Sequence, residues 1–187
     1  MSYRDDGKNV ERYVEMTAAY DGRGLVEVLR RHLPEGLSVL ELGMGPGKDL
    51  AILGETYQVT GSDVSRPFVD RYLATHPDVD VLVLDGATLE TDRTFDGVYS
   101  NKAPIHLGRE ALAASFARQA EELAPGGVGV HSFWVGEGEE TFAGLLSVYH
   151  TEATLRAAMG DALEIVEMTR YAEDEEGDSL HVVVWRT

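Results

Sequence analysis

Residues 37–47 read LSVLELGMGPG, and this stretch decides the fold. Its first part, residues 37–42, is a short apolar run bounded by turn residues, and it predicts a buried strand. Gly43, Gly45 and Gly47 follow directly, and a short helix is expected after them. Glycines let a ligand approach the backbone closely, and the helix directs its positive N-terminal end towards the same place. The stretch therefore predicts a cofactor-binding turn between a strand and a helix.

Strands and helices alternate along the rest of the chain. A helical region over residues 1–33 precedes the first strand, and later helices are expected to begin near Ser65, Arg109 and Thr151. The strands are predicted at 37–42, 57–62, 79–84, 95–100, 128–135, 163–171 and 180–185. This order predicts an α/β fold with a doubly wound, mostly parallel seven-stranded sheet and an antiparallel hairpin at its C-terminal end. We expect a single domain over 1–187, with a helical cap at 1–33 and the core at 37–187.

Two aspartates stand at the ends of the second and third predicted strands. Asp63 comes 20 residues after Gly43, and Asp85 precedes Gly86. A carboxylate at the position of Asp63 can accept hydrogen bonds from both hydroxyl groups of a ribose. The carboxyl ends of parallel strands meet at one edge of a sheet, where doubly wound proteins bind their ligands. We therefore expect the two aspartates and the glycine turn to share one site.

The spacing Gly-x-Gly-x-Gly, with the acid Glu41 just before it, resembles the S-adenosylmethionine loop of class I methyltransferases. Asp63, Asp85, the strand end at 100–102 and the Leu-x-Pro-Gly-Gly turn at 123–127 are similar to that family as well. The resemblance covers roughly residues 12–187 and implies a Rossmann-like methyltransferase fold with S-adenosylmethionine as the cofactor. It implies that the cofactor is bound by Glu41, Gly43, Met44, Gly45, Gly47, Asp63, Val64, Asp85, Gly86, Ala87, Asn101 and Tyr20.

The resemblance also implies individual roles. Asp85 would take the adenine amino group, and Glu41 would support the loop or the amino group of the cofactor. The N-terminal helix that carries Tyr20 would fold over the cofactor.

Methyl transfer is an in-line displacement from a sulfonium, so the protein mainly aligns the nucleophile and excludes water. A general base is needed only where the nucleophile arrives protonated. The family meets the transferred methyl at the fourth strand end, where Asn101 and His106 are the candidate catalytic residues. His106 is a candidate base because histidine titrates near neutral pH, and a structural hydrogen bond is the alternative interpretation. His131 and His181 lie within strands and are expected to be structural.

The amino-acid composition limits the classes of molecule that the protein is expected to bind. Among 187 residues, 33 are acidic and 16 basic, and the formal net charge of −17 disfavours nucleic acid. The chain has no cysteine, which excludes disulfides, zinc–thiolate sites and iron–sulfur clusters, and no other metal site is expected. No apolar run is long enough for a membrane span and no targeting segment is visible, so we expect a cytoplasmic location. The cofactor fold uses almost all of the chain, which favours a small-molecule acceptor and leaves the oligomeric state open.

Three alternatives stay open. A nicotinamide-dependent oxidoreductase would use the same architecture, but its fingerprint needs glycine at position 48, where the chain has Lys48. A non-catalytic S-adenosylmethionine-binding or regulatory module would keep the fold without turnover. A protein methyltransferase for basic peptides would suit an acidic groove, although no peptide-binding insertion is visible.

Overall fold

The computed structural model of the protein describes residues 7–142, 144–161 and 163–187. The helices are α1 (Gly7–Met16), α2 (Arg23–His32), α3 (Lys48–Leu53), α4 (Arg66–Leu73), α5 (Arg109–Glu122) and α6 (Glu152–Met159). The strands are β1 (Ser38–Leu42), β2 (Gln58–Asp63), β3 (Val81–Val83), β4 (Phe95–Asn101), β5 (Leu123–Trp134), β6 (Glu139–Phe142), β7 (Leu145–Val148), β8 (Glu164–Tyr171) and β9 (Ser179–Trp185). A short 3-10 turn, Pro104–His106, follows β4.

The main sheet has seven strands in the order β3-β2-β1-β4-β5-β9-β8. The first five strands in this order, β3, β2, β1, β4 and β5, are parallel to one another. Strand β9 is antiparallel to both β5 and β8. The direction of winding reverses between β1 and β4, because the chain reaches one edge at β3 and then returns to the other side of β1. Doubly wound sheets bind ligands at such a switch point, outside the carboxyl ends of the strands. The predicted α/β fold is confirmed.

Helices cover both faces of the sheet. Successive residues of β1 point to opposite faces, as the pleat of a strand requires. Val39 packs with Val26 and Leu29 of α2 on one face, and Leu40 lies on the other face with Phe116 of α5. All five side chains are buried. The two apolar layers therefore hold β1 rigidly, and its carboxyl end carries the glycine turn.

A second sheet, the hairpin of β6 and β7, is not predicted by the sequence. Each of its strands has only four residues, and β6 begins inside the acidic run at 136–140, which is typical of a solvated loop. Strands this short carry little hydrophobic periodicity. A bridge between Val135 and His150 joins the base of the hairpin to the end of β5. The hairpin therefore stands at the carboxyl edge of the main sheet.

Candidate functional site

A cleft opens at the carboxyl edge of the sheet, above the ends of β1, β2 and β4. It holds about 890 Å³ of empty space, including its open mouth. Helix α1 contributes to one wall, and Leu145 of the β6–β7 hairpin contributes to another. Polar side chains in the walls include Asn9, Asp63, Asp85, Asn101, His106 and Ser115.

The glycine turn has a backbone that other residues would strain. Gly43 and Gly45 have φ values of 71° and 50°, in the left-handed region. A Cβ atom on Gly43 would lie 2.4 Å from the Cβ of Ala103, so a side chain would collide with the segment after β4. The N–H of Met44 donates to the carbonyl of Ser62 at 2.8 Å, which fixes the turn against the end of β2. The turn is therefore held open towards the cleft as bare backbone.

Asp63 joins the glycine turn to the next helix. Its side chain is only 8% exposed, and its two oxygens accept the N–H groups of Gly45 at 2.9 Å and Ser65 at 2.8 Å. Ser65 is the residue that precedes α4. Val64, between these residues, is 40% exposed and lines the cleft with Asp63. One carboxylate thus orders two sides of the cleft.

Asp85 lies across the cleft, after β3. Its side chain is exposed, and its Oδ1 accepts the N–H of Ala87 at 2.8 Å. Gly86 lines the cleft beside it. The hydrogen bond orients the carboxylate, and the residue stays exposed at the cleft.

Asn101 ends β4 with its amide fixed on both sides. Its Oδ1 accepts the hydroxyl of Ser132 at 2.6 Å, and its Nδ2 donates to Asp49 Oδ2 at 2.9 Å. The phenol of Tyr99 donates to the same carboxylate oxygen at 2.7 Å. Tyr20 lies against Asn101, and burial raises the pKa of its phenol. Asn101 lines the cleft, whereas Tyr20 is placed behind it by this polar network.

Glu41 lies beneath the glycine turn. Its side chain is 3% exposed, and its Oε2 has no hydrogen-bond partner. Burial and the nearby carboxyl groups of Asp49 and Asp63 raise its pKa well above the usual range. A buried acid with an unpartnered oxygen is costly unless a ligand supplies the missing partner. A cationic group is the partner that its chemistry fits.

Lys48 connects the turn to α1. Its ammonium donates to the carbonyls of Thr17, Ala18 and Tyr20 at 2.8, 2.5 and 2.9 Å. These carbonyls follow the C-terminal end of α1, where a positive charge is favourable. Asn9, Val10 and Tyr13 of this helix line the cleft. Lys48 therefore holds α1 in place, at the position where a dinucleotide fingerprint would have glycine.

His106 lies in the 3-10 turn at the far wall. Its Nδ1 is 2.6 Å from the carbonyl of Leu146, so Nδ1 must carry the proton of this hydrogen bond. The neutral ring then has its acceptor lone pair on Nε2. Burial lowers the pKa of His131 to about 3. Burial and, to a smaller extent, the positive charge of Arg109 lower the pKa of His150 to about 4. Both of those rings are buried in the interior, whereas His106 lines the cleft.

The structure thus brings together part of the predicted set and places the rest behind it. The predicted residues that line the cleft are Gly43, Gly45, Asp63, Val64, Asp85, Gly86, Asn101 and His106. The predicted residues outside its walls are Glu41, Met44, Gly47, Ala87 and Tyr20. Met44 packs inwards against Leu50 and Tyr72. Sequence reasoning missed Ser115 and Leu145, since neither lies in a recognisable motif.

Residues 7–142, 144–161 and 163–187 contain no group of three or more histidine or acidic side chains placed to hold a metal ion. None of their helices is long and apolar enough to cross a membrane.

Comparison with known proteins agrees with the fold. Residues 39–127 match a family model described as a methyltransferase domain. The Burkholderia thailandensis 1,6-didemethyltoxoflavin-N1-methyltransferase, solved with 1,6-didemethyltoxoflavin and S-adenosylhomocysteine, is 23% identical. That match has a TM-score of 0.73 and covers 95% of this chain and 88% of the other.

Two further structures have the same fold. CalS10, an amino pentose methyltransferase from Micromonospora echinaspora solved with S-adenosylmethionine, is 23% identical with a TM-score of 0.74, over 91% of this chain and 95% of its own. DesVI from Streptomyces venezuelae is 20% identical with a TM-score of 0.74, over 96% of this chain and 98% of its own. Residues 39–127 therefore match a methyltransferase domain, and almost the whole chain has the fold of these methyltransferases.

Proposed function

We propose that this enzyme transfers a methyl group from S-adenosylmethionine to a small-molecule acceptor. The observation that carries the proposal is the meeting of the glycine turn, Asp63 and Asp85 at one cleft. A nucleoside with a charged tail needs these three features: an acceptor for ribose hydroxyls, an acceptor for the adenine amino group and a close backbone approach.

The residues present fit the nucleoside half of the cofactor. A carboxylate offers about four acceptor positions, so Asp63 can accept ribose hydroxyls while it keeps its two backbone N–H bonds. Asp85 is exposed and oriented by Ala87, as an acceptor for the adenine amino group would be. Val64 is 40% exposed, and it offers an apolar surface on which the adenine ring can lie.

The residues also fit the methionine half. The unpartnered Oε2 of Glu41 matches an ammonium, and the turn at Gly43 has no side chain to obstruct a ligand. When bound, S-adenosylmethionine supplies an electrophilic methyl on a sulfonium, with its leaving group already in place. The tasks left to this chain are to bind and orient both partners, to exclude water and to accept a proton.

The far wall is proposed as the acceptor pocket. His106 is held there by Leu146, and Leu107 and Leu145 add apolar surface beside it. We assign His106 Nε2 as the atom that accepts a proton from the nucleophile, and Asn101 as a rigid wall near the methyl. The acceptors named for two similar structures, 1,6-didemethyltoxoflavin and an amino pentose, are small molecules, which supports an acceptor of that size.

The cap helices belong to this unit in our proposal. α1 lines the cleft and Lys48 binds the segment after it, so the site needs both the helical cap and the sheet. We therefore propose one domain over the whole chain.

The proposal is tested in two steps. Isothermal titration calorimetry with S-adenosylmethionine and S-adenosylhomocysteine should show binding. The release of S-adenosylhomocysteine across a panel of small amines and alcohols should then show turnover. Binding without turnover would favour a non-catalytic module, and binding of reduced nicotinamide cofactor in its place would favour an oxidoreductase.

The role of His106 is tested by His106→Asn. Asparagine keeps a donor for the Leu146 carbonyl and removes the basic nitrogen. We expect the turnover rate to fall by about 10²–10⁴-fold, as for loss of a general base, with unchanged affinity for S-adenosylhomocysteine. An unchanged turnover rate would assign His106 a purely structural role.

A further inference from the structure

Three buried carboxyl groups lie together beneath the glycine turn. Glu41 belongs to β1, Asp49 to α3 and Asp63 to β2, and their exposed fractions are 3%, 5% and 8%. The charges of Asp49 and Asp63 both raise the pKa of Glu41, so the three groups interact electrostatically. Three negative charges this close together in a buried region repel one another strongly.

The two aspartates are hydrogen-bonded as carboxylates are. Asp49 accepts the phenol of Tyr99 and the amide of Asn101, and Asp63 accepts two backbone N–H groups. Glu41 differs from both, because its Oε2 has no partner at all. The group that gains most from holding a proton in the ligand-free protein is therefore Glu41.

The other elements packed against Glu41 bring no compensating charge. Tyr72 of α4 and Tyr99 of β4 face it, and burial raises the pKa of both phenols, which leaves them uncharged near neutral pH. No cationic side chain contributes to the pKa of Glu41 among the residues that the structure describes. Lys48 is next to Asp49 in sequence, but its ammonium binds the carbonyls that follow α1.

We propose that Glu41 releases a proton to solvent when the cofactor or its demethylated product binds, which rests on the proposed function. The carboxylic acid becomes a carboxylate, and the ammonium of the ligand replaces the proton as the neutralising positive charge. Glu41 is then a specificity-determining residue, since a nucleoside without a cationic tail cannot bring about this exchange.

The test is calorimetric titration with S-adenosylhomocysteine at pH 6.5, in two buffers of different ionisation enthalpy. The α-amino group of this ligand is already protonated at that pH, so it contributes almost nothing itself. For the unmodified protein, the difference between the two heats should show a net release of protons, of at most one per ligand bound. Adenosine, which has no cationic tail, should release none.

Two variants identify the source of the proton. Glu41→Gln should bring the release to zero, whereas Glu41→Asp should keep it. His106→Asn is the matched control, because His106 is a second titratable residue in the cleft, and it should leave the release unchanged. Loss of release in the His106 variant alone would assign the proton to His106 and overturn the inference.

The outcomes also separate this inference from the function on which it rests. Binding of S-adenosylhomocysteine with no proton released overturns the inference and leaves the proposed function standing. No binding at all overturns the proposed function. The measurement on the unmodified protein decides between these outcomes even where a variant fails to fold.

Discussion

Lys48→Met should loosen the cap over the cofactor site. The change removes the ammonium that donates to the carbonyls of Thr17, Ala18 and Tyr20, and it keeps a side chain of similar length. α1 would lose its connection to the first residue of α3. Its remaining contacts, such as the edge-on packing of Tyr13 against Phe68 at 5.5 Å, would stay.

The magnitude follows from the three hydrogen bonds. A hydrogen bond from a charged donor contributes about 1.5–3 kcal/mol to stability when well formed. Lys48 is half-buried, and water competes for its ammonium. We therefore expect the three hydrogen bonds together to contribute about 2 kcal/mol to the stability of the closed cap, less than the sum of three separate contributions. Such a loss changes an equilibrium constant by roughly 30-fold. We expect S-adenosylhomocysteine to dissociate up to roughly 30-fold faster, since an open cap no longer retains it.

Stopped-flow measurement of the dissociation rate and hydrogen exchange of the α1 amides test this expectation. Arg12→Met is the matched control, because it removes an exposed cation from α1 itself. Unchanged dissociation and unchanged exchange in the Lys48 variant would refute the reasoning. Faster exchange without faster dissociation would show that α1 does not cover the bound cofactor.

Three further outcomes are expected. Asp63→Asn should weaken S-adenosylhomocysteine binding by about 10- to 100-fold in calorimetry, since charge-assisted hydrogen bonds are lost; an unchanged Kd would contradict the role of this carboxylate. Gly43→Ala should lower the free energy of unfolding by about 2 kcal/mol or more in urea titrations. Its Cβ would collide with Ala103, and its φ of 71° is unfavourable for alanine. Gly24→Ala is the control that should not lower it, because a Cβ there meets no atom within 4 Å. Glu41→Gln should raise the melting temperature of the ligand-free protein more at pH 8 than at pH 5. A carboxyl whose pKa is raised by folding costs stability as the pH rises above its unfolded value, and equal gains at both pH values would contradict this.

The fold and the centre of the site could be predicted because their signals are local. A strand, a glycine turn and a helix occupy one short stretch. Asp63 is the last residue of β2, and Asp85 lies two residues after β3. Parallel pairing then brings these strand ends to one edge without any further information. This is why the α/β fold is confirmed and why eight of the predicted residues line one cleft.

The remaining features depend on contacts between distant parts of the chain. Lys102 shows this most clearly: its ammonium donates to the carbonyl of Phe133 and to the hydroxyl of Ser179, at separations of 31 and 77 residues. Burial lowers the pKa of Lys102 to about 8. The acidic turn near Glu173 is most simply interpreted from sequence as solvated, but Glu173 is largely buried and lies 3.8 Å from this ammonium. No local pattern contains that pairing.

The position of β9 has a consequence for how the protein is assembled. β8 is synthesised before β9, but in the described sheet it is joined to the other strands only through β9. Until β9 has inserted, the outer edge of β5, with the apolar residues Val128 and Val130, has no partner. An unpaired apolar edge can pair with another chain, and distant strand pairing is slow. Aggregation during refolding should therefore be controlled by how fast the last strand inserts, and a short peptide that mimics β9 should compete with that step.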